Sequence, residues 1–77
     1  MKENKDLIAL GFKFREGDGS HTMNLSDQFY IEVDENGTPY ILSNEEESLT
    51  GIIYTQLTPE MVEKVNATMK ILKELKK

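Results

Sequence analysis

The chain has no cysteine, a single histidine, and no apolar run longer than the four residues Leu7-Ile8-Ala9-Leu10. Each absence removes a class of structure or chemistry. Without cysteine there are no disulfides and no thiolate–zinc sites. Nucleophilic catalysis pairs Ser, Cys or Thr with a general base, most often His. His21 lies beside the Gly/Ser-rich run Glu16-Gly17-Asp18-Gly19-Ser20 and reads as an exposed, turn-flanking residue. A four-residue apolar run is too short for a signal sequence, and shorter still than a membrane span. The expectation is a cytoplasmic protein with no membrane partner. No Gly-rich phosphate loop is present, and the net charge of −5 disfavours direct contact with nucleic acid.

At 77 residues the chain forms one domain. A domain of this size buries only about 60% of its extended-chain surface, so one well-patterned core or self-association must hold it together.

Residues 28–43 organise that core as a β-hairpin. Phe29, Ile31 and Val33 alternate with Tyr30, Glu32 and Asp34, the period of a strand with one buried face. Asn36-Gly37 supplies the two residues that best tolerate positive φ at a tight turn, and Tyr40-Ile41-Leu42 forms the return strand. Upstream, Asn4 or Asp6 can cap a short helix carrying Leu7, Ile8 and Leu10, with Gly11 as its stop. Phe12-Lys13-Phe14-Arg15 alternates, and His21-Thr22-Met23-Asn24-Leu25 does so more weakly with Met23 and Leu25 inward. Residues 44–48 form an acidic loop and 49–57 a further strand. Thr58-Pro59-Glu60 then starts a helix: a Thr cap, Pro at the first position and an acid at the positive end of the dipole. Met61, Val62, Val65, Thr68, Met69, Leu72 and Leu75 fall on one side of it at 3.6-residue spacing, with Ile71 at the margin. The predicted fold is α+β: an antiparallel meander of four to five short strands, a short N-terminal helix, and a C-terminal amphipathic helix packed across one face.

No residues qualify as catalytic, cofactor-binding or metal-binding. Asp34-Glu35-Asn36-Gly37 has oxygen ligands beside a glycine, but it lacks the spaced ligands and terminal Glu of a calcium loop, and reads as a turn. Phe12, Phe14, Tyr30, Tyr40 and Tyr54 are the raw material of a base-stacking platform, with Lys13 and Arg15 the only bases near them. Aromatic residues on the strands of so small a domain read first as core.

The informative feature is the placement of charge. All nine Lys and Arg residues lie within 2–15 and 64–77, whereas the span from Glu16 to Glu63 holds eleven acids and no base. Most of these acids fall on turns or outward strand positions, building a negative surface that repels nucleic acid and membranes and steers toward basic partners. Solubility alone also accounts for such a surface. Mimicry of phosphates is the sharper reading, with Glu32, Asp34, Glu35, Glu45, Glu46 and Glu47 supplying the field and Tyr30 and Tyr40 the contact anchors.

The run Phe29-Tyr30-Ile31-Glu32-Val33-Asp34-Glu35-Asn36-Gly37, the return Tyr40-Ile41-Leu42-Ser43 and the loop Asn44-Glu45-Glu46-Glu47-Ser48 resemble the hairpin and acidic loop of small acidic phage and prophage accessory proteins, anti-CRISPR inhibitors among them. That resemblance implies a non-enzymatic inhibitor or modulator, acting in the host cytoplasm on a basic host protein that handles nucleic acid. The basic C-terminal helix departs from a wholly acidic mimic. The alternative is a homodimeric structural or assembly protein that pairs through the helix stripe at Ile71 or through a strand edge.

Overall fold

The computed structural model describes residues 2–43 and 58–75. Its elements are α1 (Lys5–Leu10), β1 (Lys13–Arg15), β2 (Ser20–Asn24), β3 (Phe29–Val33), β4 (Pro39–Ser43) and α2 (Pro59–Leu75). The strands form one four-stranded sheet in the order β1-β2-β3-β4. Every neighbouring pair is antiparallel. This is the predicted α+β meander with a helix at each side of it in sequence. The strand expected over 49–57 and the acidic loop 44–48 lie outside the described residues.

Helix α1 is only six residues long and owes its form to its two ends. Asn4 keeps an extended backbone while its Oδ1 accepts the Leu7 N–H at 2.9 Å, and its carbonyl accepts the Ile8 N–H at 3.0 Å. Of the two candidate caps, Asn4 is the one used. At the other end Gly11 adopts φ 124° and donates its N–H to Ile8 O at 3.1 Å, while Phe12 N–H reaches Leu7 O at 3.0 Å. This is the Schellman exit, in which a residue at positive φ lets the chain reverse and satisfy the last carbonyls. It also brings Phe12 back beside Leu7, and both are buried in the core. Such a helix is too short to stand alone. It packs on α2 and β1, with Leu7 fully buried.

Turn chemistry fixes each strand connection. Asp18 accepts the Ser20 hydroxyl at 2.6 Å and the Ser20 N–H at 3.0 Å, closing the β1–β2 turn. Ser26 Oγ accepts the N–H groups of Gln28 and Phe29 at 3.2 Å, shaping the tight turn into β3. At the tip of the β3–β4 hairpin, the Asp34 N–H donates to Thr38 O and the Gly37 N–H to Asp34 O, each at 3.0 Å. Only Gly37 takes a positive φ there, 82°; Asn36 does not. The sequence-based expectation of two adjacent positive-φ residues is therefore corrected. The loop is three residues long, a turn followed by one left-handed glycine, which needs a single permissive position.

Strand alternation puts Phe14, His21, Met23, Ile31, Val33 and Ile41 on one side of the sheet, as the cross-strand pairs Phe14–His21, His21–Val33, Met23–Ile31 and Ile31–Ile41 require. Helix α2 covers this inner face. Thr58 Oγ1 accepts the Met61 N–H at 3.3 Å, so the predicted cap is in place. Met61, Leu72, Leu7, Phe12, Met23, Leu25, Ile31 and Val33 form the core. Thr68 is also fully buried, and its hydroxyl donates to Lys64 O at 2.8 Å, one turn back in the helix.

The buried line of α2 is Met61–Val65–Thr68–Leu72, and Ile71 packs against the core beside it. Val62, Met69 and Leu75 are exposed. The predicted stripe was thus too wide on one side. Positions 62 and 69 sit about 80–100° around the helix from its buried line, and the helix is rolled so that the opposite margin, at Ile71, faces the sheet. Leu75 lies in the last turn.

Candidate functional site

The side of the sheet away from α2 carries two rows of side chains set by the strand register. One runs Lys13–Thr22–Glu32–Tyr40 and the other Asn24–Tyr30–Leu42. Tyr30, Glu32 and Leu42 are half-buried there, and Tyr40 is 38% exposed. Neighbouring strands lie about 4.8 Å apart, so Lys13 stands about 10 Å from Glu32 and about 14 Å from Tyr40 along its row. At about 0.1 M salt that is one Debye length or more. The face is therefore graded, with Lys13 and Arg15 on β1 at one margin and the carboxylates of the hairpin at the other.

Asp34 organises the acidic end. Its Oδ1 accepts the N–H groups of Asn36 and Thr38, both at 2.9 Å, and its Oδ2 accepts the Tyr40 hydroxyl at 3.2 Å. These bonds, the one from Thr38 foremost, hold the Asp34 carboxyl below its ordinary value. The same negative charge raises the Tyr40 phenol above its own. Tyr40 is thus fixed to the tip as a donor, and Asp34 stays ionised while its lone pairs serve the turn. Glu35 is exposed beside it.

Of the eight residues predicted to bind a partner, Tyr30, Glu32 and Tyr40 share the outward face, and Asp34 and Glu35 sit at its tip. Glu45, Glu46 and Glu47 lie outside the described residues. The Asp34-Glu35-Asn36-Gly37 run is a turn, as predicted, and no group of three or more His, Asp or Glu residues suited to a metal occurs among the described residues. Nor does any described helix have the length and apolar character to cross a membrane.

A concave feature lies between the hairpin tip and the C-terminal half of α2. It is an open cleft of about 420 Å³ walled by Gly37, Pro39, Asn66, Met69, Lys70 and Lys73. It offers a thioether and two ammonium groups, with no nucleophile–base pair among these residues.

His21 contradicts the expectation of an exposed, turn-flanking residue. It lies in β2 with 0% exposure, its ring centroid 4.8 Å from that of Phe14. Its Nε2 accepts the Asn4 N–H at 3.0 Å, and its Nδ1 is buried without a hydrogen-bond partner among the described residues. Burial lowers its pKa; the carboxylate of Glu3 works against that shift and the terminal ammonium adds to it. Strand parity carried the signal: His21 shares the parity of Met23 and Leu25, both inward, and that alternation outweighs the turn composition before it.

No family model matches the sequence, and neither a curated protein nor a solved structure matches it.

Proposed function

We propose that the chain is a non-enzymatic protein-binding module that presents the outward face and tip of its β3–β4 hairpin to a basic groove on a partner. The register carries this reading, because it gathers Tyr30, Glu32 and Tyr40 on one face beside the ionised Asp34 and the exposed Glu35. Rigid aromatics within a carboxylate field suit anchoring on a surface built for phosphates. The partner class is a protein that handles nucleic acid, and the role is inhibition or modulation of the phage-accessory kind.

The test is salt-sensitive retention of a purified nucleic-acid-binding protein on immobilised chain, compared with a Glu32→Lys/Glu35→Lys variant whose unfolding midpoint is checked in parallel. Retention lost in a folded variant supports the reading. Equal retention by both proteins overturns it, because charge reversal at the field's centre must weaken any contact made there.

A second reading has its own observation. Val62 and Met69 leave apolar surface on one flank of α2, where a second copy could pair. Ile71, the residue expected to mediate such a dimer, packs on the core instead, so Met69→Glu is the informative substitution. A chain that sediments as a monomer at working concentration excludes this reading.

A further inference from the structure

We infer that His21 is a proton-operated latch: when its imidazole takes up a proton at Nε2, helix α1 leaves the sheet while the hairpin stays folded. The geometry sets up a direct conflict. Nε2 accepts the Asn4 N–H, so the neutral ring must carry its proton on Nδ1. A second proton can enter only at Nε2, where it would face a backbone N–H already pointing at that lone pair. The bond is lost and two donors are left opposed. The positive ring would also be enclosed, with Phe14 on β1 and Val33 on β3 as its cross-strand partners. Neither carries charge. The charged groups that act on the ring come from the N-terminal segment: Glu3, which favours the protonated form, and the terminal ammonium, which opposes it. One exposed carboxylate does not replace the water removed from a fully buried ring.

The structure also decides what yields. β2 is paired on both sides, to β1 and β3, whereas Asn4 only caps a six-residue helix. Asn4 is the cap of α1, holding the Leu7 N–H with its side chain and the Ile8 N–H with its carbonyl. Displacing Asn4 therefore removes the start of a helix too short to persist undocked. Moving Asn4 off Nε2 hydrates the ring, and because Asn4 caps α1 the helix follows, which uncovers Leu7. Local opening of this kind draws on the least stable unit of a fold.

The sign follows from linkage. An imidazole whose value is lowered in the closed form binds its proton preferentially in the open form, so closure is complete at neutral pH and weakens as pH falls below the ordinary value of about 6.5. Between about pH 7.5 and 5, an ordinary imidazole in the open state raises the opening equilibrium by up to about thirtyfold.

Amide hydrogen exchange of the full chain, read residue by residue by NMR and corrected for intrinsic rates, tests this. The Leu7 and Ile8 amides should lose protection by twofold or more, up to about thirtyfold, over that interval while Ile31 and Ile41 hold theirs. His21→Gln retains an acceptor for Asn4 but does not titrate in this range, and should abolish the change. The latch is refuted if the α1 amides change less than twofold in the wild type, or if α1 and hairpin amides lose protection together. Because the wild-type profile decides alone, a poorly folded variant does not rescue the idea.

Discussion

Leu7→Ala is the substitution that most sharply separates a docked terminal helix from a frayed one. A six-residue helix near the start of a chain is an ordinary place for fraying, and an alanine there would then be nearly silent. In the structure Leu7 is fully buried within a core that includes Phe12, Ile31, Val33 and Leu72. Burying a Leu side chain contributes about 1.5–3 kcal/mol. With the cavity left behind, Leu→Ala at such a site costs about 2–5 kcal/mol. Domains hold roughly 0.05–0.15 kcal/mol per residue, or about 4–12 kcal/mol for a chain of this length. A loss of about 3 kcal/mol, within the roughly 2–5 kcal/mol expected of the substitution, is a large share of that total. Urea unfolding followed by circular dichroism would show it as a midpoint lowered by about 2–3 M, taking a slope near 1 kcal/mol/M for a small domain. Thermal unfolding would fall by more than about 10 °C. A loss below about 1 kcal/mol, with an unchanged slope, would refute the reasoning. It would mean that α1 docks so weakly that its removal leaves the remaining core intact.

Other substitutions test separate parts of the structure. Gly11→Ala should cost about 1–3 kcal/mol, because a side chain at φ 124° is strained and its Cβ would meet Met23 Sδ at 3.2 Å; an unchanged urea midpoint would contradict the Schellman exit. Asp34→Asn should lower the Tyr40 phenol toward its ordinary value, read by ultraviolet titration, and loosen the hairpin amides of Asn36 and Thr38. Because the folded Asp34 value is depressed, its stabilisation is present above the unfolded carboxyl value of about 3.9 and is lost as pH falls through the lower folded value; the Asn variant should therefore show a flatter acid limb. Thr68→Val should change stability by less than about 1.5 kcal/mol, because the hydroxyl bonds a carbonyl of its own helix and both partners need not be replaced together. A larger loss would show that the hydroxyl has a further role in the core.

The parts of the fold legible in the sequence are those written in short-range chemistry. The Asn4 cap, the Gly11 stop, the Thr58-Pro59-Glu60 start and the period-2 run through Phe29, Ile31 and Val33 each depend on residues within a few positions of one another, and all appear in the structure. What escaped depends on long-range geometry. The roll of α2 about its axis decides whether Ile71 or Met69 faces the sheet, and spacing alone leaves both at the margins of the stripe. The turn composition before His21 points to exposure while the parity it shares with Met23 points inward, and its partner Asn4 lies 17 residues away. At the site, alternation correctly put Tyr30, Glu32 and Tyr40 on one face. It did not reveal that Asp34 spends its lone pairs on the turn and on Tyr40, since that needs the three-residue loop to be built first.

The unbroken strand order has a consequence for how the molecule assembles. Phe14 pairs with His21, Met23 with Ile31 and Ile31 with Ile41, so each strand needs only its sequence neighbour to find its place. The core is different, since Leu7 and Leu72 meet there from far-separated parts of the chain. Loop-closure entropy grows as about 1.5RT ln n, so joining residues some sixty-five apart costs about 2 kcal/mol more than joining those about eight apart. The sheet can therefore zip up by local steps and wait, its inner face uncovered, for a late collision with α2. Mutations on the hairpin should then change the rate of folding, and mutations on the buried line of α2 mainly the rate of unfolding.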